Sequence, residues 1–271
     1  MGANETGQLI AEAAEVYEAF FLPALFQEWP PHLLAAAGVR AGDRVLDVAC
    51  GTGVLARLAL AQVGPGGSVA GLDVNEGMLR VARRAAPGIE WKQGRAEALP
   101  FADGEFDAVV CQFGLMFFED RAAAVREMVR VLRPGGRLAV AVWGPLAETP
   151  GYAKQADLLG RLFGERAARS LHAPYALGEP GALREVFAEA GFPEVRIERR
   201  AGAARFPSIR DWEYTDIQGW TLAGQLSDQD FERLVRAAES ELREFVRPDG
   251  SVAFEAPALI AMLVKESPVV M

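Results

Sequence analysis

The sequence predicts an α/β fold built on a doubly wound, largely parallel sheet. Three observations carry that expectation. Short apolar strands alternate with amphipathic helices between Arg44 and Trp143, glycine- and proline-rich turns separate them, and a glycine loop follows the first strand. A length of 271 residues suits one such domain with an elaboration, and 51% hydrophobic residues supply a core.

Glu12 to Phe26 has helical spacing and carries Tyr17, Phe20 and Phe21. Pro30-Pro31 breaks it, and His32 to Ala37 reads as a short second helix. Strands follow at Arg44–Ala49, Ser68–Leu72, Ile89–Gln93, Phe106–Cys111 and Arg137–Trp143. The helices between them lie at Val54–Gln62, Glu76–Ala85 and Arg121–Leu132. Gly64-Pro65-Gly66-Gly67 and Pro134-Gly135-Gly136 are the clearest turns. Beyond Gly144 the pattern changes. Tyr152–Leu171 and Gly181–Ala190 read as helices, Glu194–Arg200 as a strand, Arg210–Val246 as mostly helical and Ala258–Lys265 as a last strand. The organisation expected is an N-terminal helical lid over 1–40, a cofactor-binding core over 41–145 and a C-terminal part over 146–271 with helical cap insertions.

Composition narrows the function. A formal net charge of −9 disfavours a nucleic-acid partner, which needs a basic footprint. No run of about 18 apolar residues marks a membrane span, and Met1 to Glu18 lacks the pattern of a signal peptide. Two cysteines, Cys50 and Cys111, have no metal-type spacing, and only two histidines are present. No metal site and a reducing, cytoplasmic setting are therefore expected.

Gly51-Thr52-Gly53-Val54-Leu55-Ala56 fits the pattern of a strand-to-helix turn whose backbone N–H groups approach a ligand. Asp73 stands twenty residues after Gly53, at the end of the next strand, where a carboxylate binds ribose hydroxyls. These features fit NAD as well as S-adenosylmethionine. Asp47 tilts the balance. A carboxylate ~5 Å from a pyrophosphate at an effective dielectric of ~20 costs roughly 3 kcal/mol, whereas beside the ammonium of a methionine moiety it helps.

Val45 to Gly53, with Gly71-Leu72-Asp73-Val74-Asn75, Gly94-Arg95-Ala96-Glu97-Ala98-Leu99-Pro100-Phe101, Cys111-Gln112-Phe113 and Val131-Leu132-Arg133-Pro134-Gly135-Gly136, resembles the class I S-adenosylmethionine-dependent methyltransferases. The likeness is to their small-molecule branch, which includes the ubiquinone and menaquinone C-methyltransferases. It implies a Rossmann-like seven-stranded sheet of order 3-2-1-4-5-7-6, the last strand antiparallel. It also implies S-adenosylmethionine as cofactor and a small-molecule methyl acceptor, in a monomer or homodimer. By the resemblance Gly51 and Gly53 pack against the amino-acid part of the cofactor, and Asp47, Thr52 and Tyr17 are expected to bind the cofactor with them, Asp47 near its ammonium. Asp73 binds the ribose, Val74 and Met78 lie beside it, Ala96 offers its N–H to the adenine, and Gln112 sits beneath the methionine portion. Arg95 departs from the family, which often has an acidic residue there. Glu97 either takes that role or caps the next turn.

Tyr17, Phe20 and Phe113 are candidates for stabilising a sulfonium with aromatic faces. An acceptor that loses a proton wants a base, and His172 is the candidate, with Glu119 and Asp120 behind it. Asp120 also reads as a helix N-cap, and His32 as structural. Trp143, Trp212, Tyr214, Trp220 and Phe231 suggest an apolar or aromatic acceptor. Two alternatives remain: an NAD-dependent oxidoreductase and a cofactor-binding protein without catalysis.

Overall fold

The computed structural model describes residues 14–221 and 226–266. The chain enters through a helical turn, α1 (Ala14–Val16), that widens into a π-helix over Tyr17–Phe26. Pro23 lies inside it. Proline has no N–H to give an α-helical ladder. The wider winding resumes beyond it, with the Gln27 N–H donating to the Leu22 carbonyl at 2.8 Å. Of the predicted helix, Glu12 and Ala13 lie outside the described residues. The next helix, α2 (Pro30–Ala36), starts at the prolines instead of after them. In a first turn the missing N–H costs no hydrogen bond.

The predicted alternation then follows as β1 (Arg44–Val48), α3 (Val54–Val63), β2 (Ser68–Asp73), α4 (Glu76–Ala85), β3 (Glu90–Gln93), β4 (Phe106–Gln112) and α5 (Arg121–Arg130). α4 shows why. Asn75 caps it by accepting from the Gly77 and Met78 N–H groups, and its buried face carries Met78, Leu79 and Ala82. β5 (Leu132–Trp143) starts earlier than the predicted Arg137. Leu132 pairs with Phe106 and Arg137 with Ala108, so the intervening Pro-Gly-Gly stretch bulges out of the ladder without ending it.

The second half contains α6 (Pro150–Phe163), α7 (Glu165–His172), α8 (Pro180–Glu189), β6 (Arg196–Arg200), β7 (Ala203–Phe206), α9 (Ile209–Glu213), a π-helix over Tyr214–Thr221, α10 (Asp228–Glu241), β8 (Val252–Glu255) and β9 (Ala258–Val264). The single helix expected over Tyr152–Leu171 is two. Gly164, at φ +86°, takes a backbone that a helix cannot continue through. The two-stranded sheet β7–β8 was not expected, although Ala-Ala-Arg-Phe and Val-Ala-Phe-Glu alternate in burial as strands do.

The main sheet has seven strands in the order β3-β2-β1-β4-β5-β9-β6. With β9 as the last strand in the chain, this is the predicted 3-2-1-4-5-7-6. β9 runs antiparallel to both β5 and β6, and the other pairs are parallel. β1 and β4 are central, and Val45, Leu46, Val109 and Val110 are wholly buried. Burial of such side chains on both faces contributes about 1.5–3 kcal/mol each and fixes the carboxyl ends of β1, β2 and β4 as neighbours. An aromatic cluster of Trp212, Phe206, Tyr152, Phe245 and Phe254 extends this core into the C-terminal half.

Candidate cofactor and substrate cleft

A cleft opens at the carboxyl ends of β1, β2 and β4, the edge where a doubly wound sheet binds ligands. The backbone there is unusual. Ala49 after β1 has φ +57° and Phe113 after β4 has φ +55°, the two non-glycine residues with positive φ among the described residues, and both line the cleft. Such conformations cost about 1–3 kcal/mol each and persist where surrounding structure imposes them. Between them the glycine loop turns into α3. Gly51, at φ +54°, faces the cleft, and the nearest atom to a Cβ placed on it is in Tyr17, 4.0 Å away.

Asp73 ends β2 on the cleft wall. Its Oδ2 accepts the Gly51 N–H at 2.8 Å and its Oδ1 the Asn75 N–H at 2.8 Å. Two backbone donors thus orient the carboxylate, and lone pairs remain for a ligand. Burial raises its pKa, opposed by these hydrogen bonds. Gln112, at the end of β4, donates Nε2 to the Phe26 carbonyl at 3.3 Å, while its buried Oε1 has no partner. An orphaned acceptor on the wall calls for a donor from whatever fills the cleft. Tyr17, Phe21 and Phe26 of the N-terminal π-helix close one side, against Phe113 and Trp143, whose rings stack at 3.8 Å. Burial, with Asp73 nearby, pushes the Tyr17 phenol far up and keeps it neutral.

Val74, Met78, Ala96 and Glu97 line the same cleft, as does Arg95. Arg95 pairs with Glu119 at 2.8 Å and with Glu97 at 3.5 Å. Glu97 accepts the Glu119 N–H at 3.0 Å and the Asp120 N–H at 3.4 Å, so it caps the turn before α5. Asp120 is the N-cap of α5 through the Ala123 N–H at 2.8 Å.

Asp47, Thr52 and Gly53, also expected at the site, do not line the cleft and stand behind its wall. Asp47 is 1% exposed and accepts the Ala56 N–H of α3 at 3.1 Å, with Oδ1 buried and unpartnered. Burial raises its pKa well above the usual carboxylate range. It ties β1 to α3 and does not face the cleft. Thr52 is likewise 1% exposed. Gly53, at φ +86°, packs under the Trp91 indole, which a Cβ would overlap. His172 is exposed at the end of α7 and does not line the cleft. The geometry gives no support to it as a base. His32 packs on Trp29. Trp212 and Phe231 are buried in the C-terminal half, Tyr214 is 41% exposed, and the Trp220 side chain lies outside the described residues. Among the described side chains of that group, Trp143 alone meets the cleft. Phe26, Phe117 and Asn75 were missed. The signal available for Asn75 was its position as N-cap after Asp73-Val74.

Cys50 and Cys111 are buried free thiols, and burial pushes Cys111 up to about 12. No cluster suited to a metal ion occurs among the described residues.

Residues 46–140 match the family model of the methyltransferase domain. The ubiquinone/menaquinone biosynthesis C-methyltransferase UbiE of Pseudomonas putida is 48% identical over 118 residues, 41% of this chain and 46% of that protein. The corresponding enzyme of Ectopseudomonas oleovorans is 47% identical over 115 residues, 40% of this chain and 68% of that protein. The chain belongs to the class I S-adenosylmethionine-dependent methyltransferases. Its match spans about half the length of the first of these relatives. Among solved structures, the YcgJ protein of Bacillus subtilis is 22% identical with TM-score 0.58, covering 89% of this chain and 99% of that one. Haemonchus contortus phosphoethanolamine N-methyltransferase 2 is 20% identical with TM-score 0.61, covering 95% and 57%. Both likenesses are of fold. In this methyltransferase the family match stops within β5, and the elements from α6 onward lie beyond it.

Proposed function

We propose that the chain binds S-adenosylmethionine in the cleft and transfers its methyl group to a small apolar or aromatic molecule. The observation that carries this reading is the pairing of the backbone-held Asp73 carboxylate with the orphaned Gln112 Oε1 on opposite parts of one cleft wall. The cofactor presents a vicinal diol for the first and N–H donors for the second. The bound group supplies an already activated sulfonium methyl.

The chain's own residues then bind and position. Asp73 takes the ribose hydroxyls. Val74 and Met78 flank the nucleoside, and Ala96 offers backbone to the adenine. Gly51 admits the amino-acid part, while Asp47, Thr52 and Gly53 hold the loop from behind. Tyr17 and Phe113 offer ring faces to a positive charge. The segment over 1–40 acts as the lid, 41–145 as the cofactor core and 146–271 as the acceptor cap. Positioning of acceptor and methyl supplies much of the rate. The relatives named for ubiquinone and menaquinone biosynthesis support carbon methylation of a quinol-type ring. Two buried free thiols favour a reducing compartment such as the cytoplasm.

Calorimetric titration tests the cofactor assignment. S-adenosylhomocysteine should bind and NAD should not. NAD binding without S-adenosylhomocysteine affinity would return the chain to the oxidoreductases.

A further inference from the structure

Across Phe26 and Trp143 from the cleft lies a second cavity of about 10 Å3, the space of one water-sized group. Phe26 and Trp143 wall both spaces, and Tyr152 and Tyr175 are the polar residues of the second. Tyr152 donates its hydroxyl to Asp216 Oδ1 at 3.1 Å. Next to it, Gln155 Nε2 donates to Glu213 Oε2 at 3.0 Å. Gln155, Glu213 and Asp216 are all 0% exposed, and the second oxygen of Glu213 and the Gln155 amide oxygen have no partner. Among the described residues no lysine or arginine pairs with Glu213.

A purely structural core gains nothing from carboxyls at this depth, since apolar side chains fill the same volume without the desolvation cost. Burial pushes Glu213 up to about 8 and Asp216 up to about 7. The consequence for Tyr152 is directional. With its proton committed to Asp216, the phenol oxygen is left with lone pairs, so it accepts and does not donate.

We propose that the second cavity is the hydroxyl end of the acceptor site, where an O–H group on the acceptor ring donates to Tyr152 while the ring lies against Trp143 in the space that Phe26 now partitions. This rests on the methyl-transfer reading above. It gives the cap a selection rule: an acceptor with a free hydroxyl is bound, and one carrying an ether or carbonyl at that position is rejected.

The probes are 2-naphthol and 2-methoxynaphthalene, which differ in the O–H donor. They are titrated by fluorescence into the full chain saturated with S-adenosylhomocysteine. 2-Naphthol should bind about tenfold tighter, as expected for one hydrogen bond at a buried site. Tyr152→Phe should reduce the preference to within about twofold while S-adenosylhomocysteine affinity is unchanged. Asp216→Ala, which removes the acceptor of the Tyr152 proton and frees it for donation, should shift the preference towards the ether. This second variant serves if Tyr152→Phe does not fold. Equal binding of the two probes to the unmodified chain, or a preference that survives both variants, would overturn the proposal. Failure of S-adenosylhomocysteine to bind the unmodified chain overturns the cofactor reading instead, and is seen before either probe is added.

Discussion

The cofactor half and the cap half both bury carboxylic acids, but they hold them differently. In the first, Asp47 and Asp73 accept from backbone N–H groups of Ala56, Gly51 and Asn75. In the second, Glu213 and Asp216 accept from the side chains of Gln155 and Tyr152. A backbone donor is fixed by the fold, whatever the neighbouring side chains are. A side-chain donor holds only as long as that residue is present. The cofactor half therefore has its acids built into β1, β2 and the loops after them. The cap half has a network that single substitutions can rewire.

That contrast can be broken at several points. The largest effect is expected in the aromatic core that carries the cap network. Trp212, wholly buried, should cost about 3–5 kcal/mol when changed to alanine, measured by denaturant unfolding. Replacement of Asp73 by alanine should weaken S-adenosylhomocysteine binding by ten- to a hundredfold, as a charged hydrogen bond worth about 1.5–3 kcal/mol is lost. Unchanged affinity would remove Asp73 from the ribose site.

The acids of the cap sharpen the comparison through pH. The folded-state pKa of Glu213 is raised to about 8, through burial, from 4.5. In that interval the folded chain keeps a proton that the unfolded chain has lost, so stability falls as pH rises from about 5 to 8. Asp216, raised to about 7 from 3.8, contributes in the same direction. Glu213→Gln should match the unmodified chain in unfolding free energy at pH 5 and exceed it at pH 8 by an amount on the order of 1–3 kcal/mol, measured by denaturant unfolding. An equal pH slope in both proteins would mean that Glu213 is not held neutral in the fold. The smallest effect is expected at Arg95. Its ion pairs with Glu97 and Glu119 are largely solvated, so Arg95→Ala should leave the unfolding midpoint essentially unchanged. S-adenosylhomocysteine affinity should stay within about threefold, since guanidinium cannot accept the adenine amino group.

Much of the cofactor half was legible residue by residue. Gly51, Asp73, Val74, Met78, Ala96, Glu97, Gln112 and Phe113 were expected on one site, and the cleft gathers them. The reason is local: each sits at the end of a strand or within a few residues beyond it, next to clear turn signals, so placing the strands places the residues. His172 had no such anchor. Its candidacy rested on its chemistry and on lying in a region expected to cap the pocket, and α7 leaves it exposed away from the cleft.

The amino-acid sequence by itself determined the alternation of strands and helices through β5, because apolar runs and glycine–proline turns are readable along the chain. Through its motifs it also pointed to the family and hence the strand order. Tertiary structure alone decided which way Asp47 points. A central parallel strand is apolar on both faces, so its sequence carries no alternation that distinguishes the cleft side from the helix side. It also decided that Gly53 is needed for Trp91, a residue from another strand, and that Tyr152, Gln155, Glu213 and Asp216 meet. Those contacts join helices some sixty residues apart. Burial of a polar side chain is set by what packs over it, and nothing local in the chain records that.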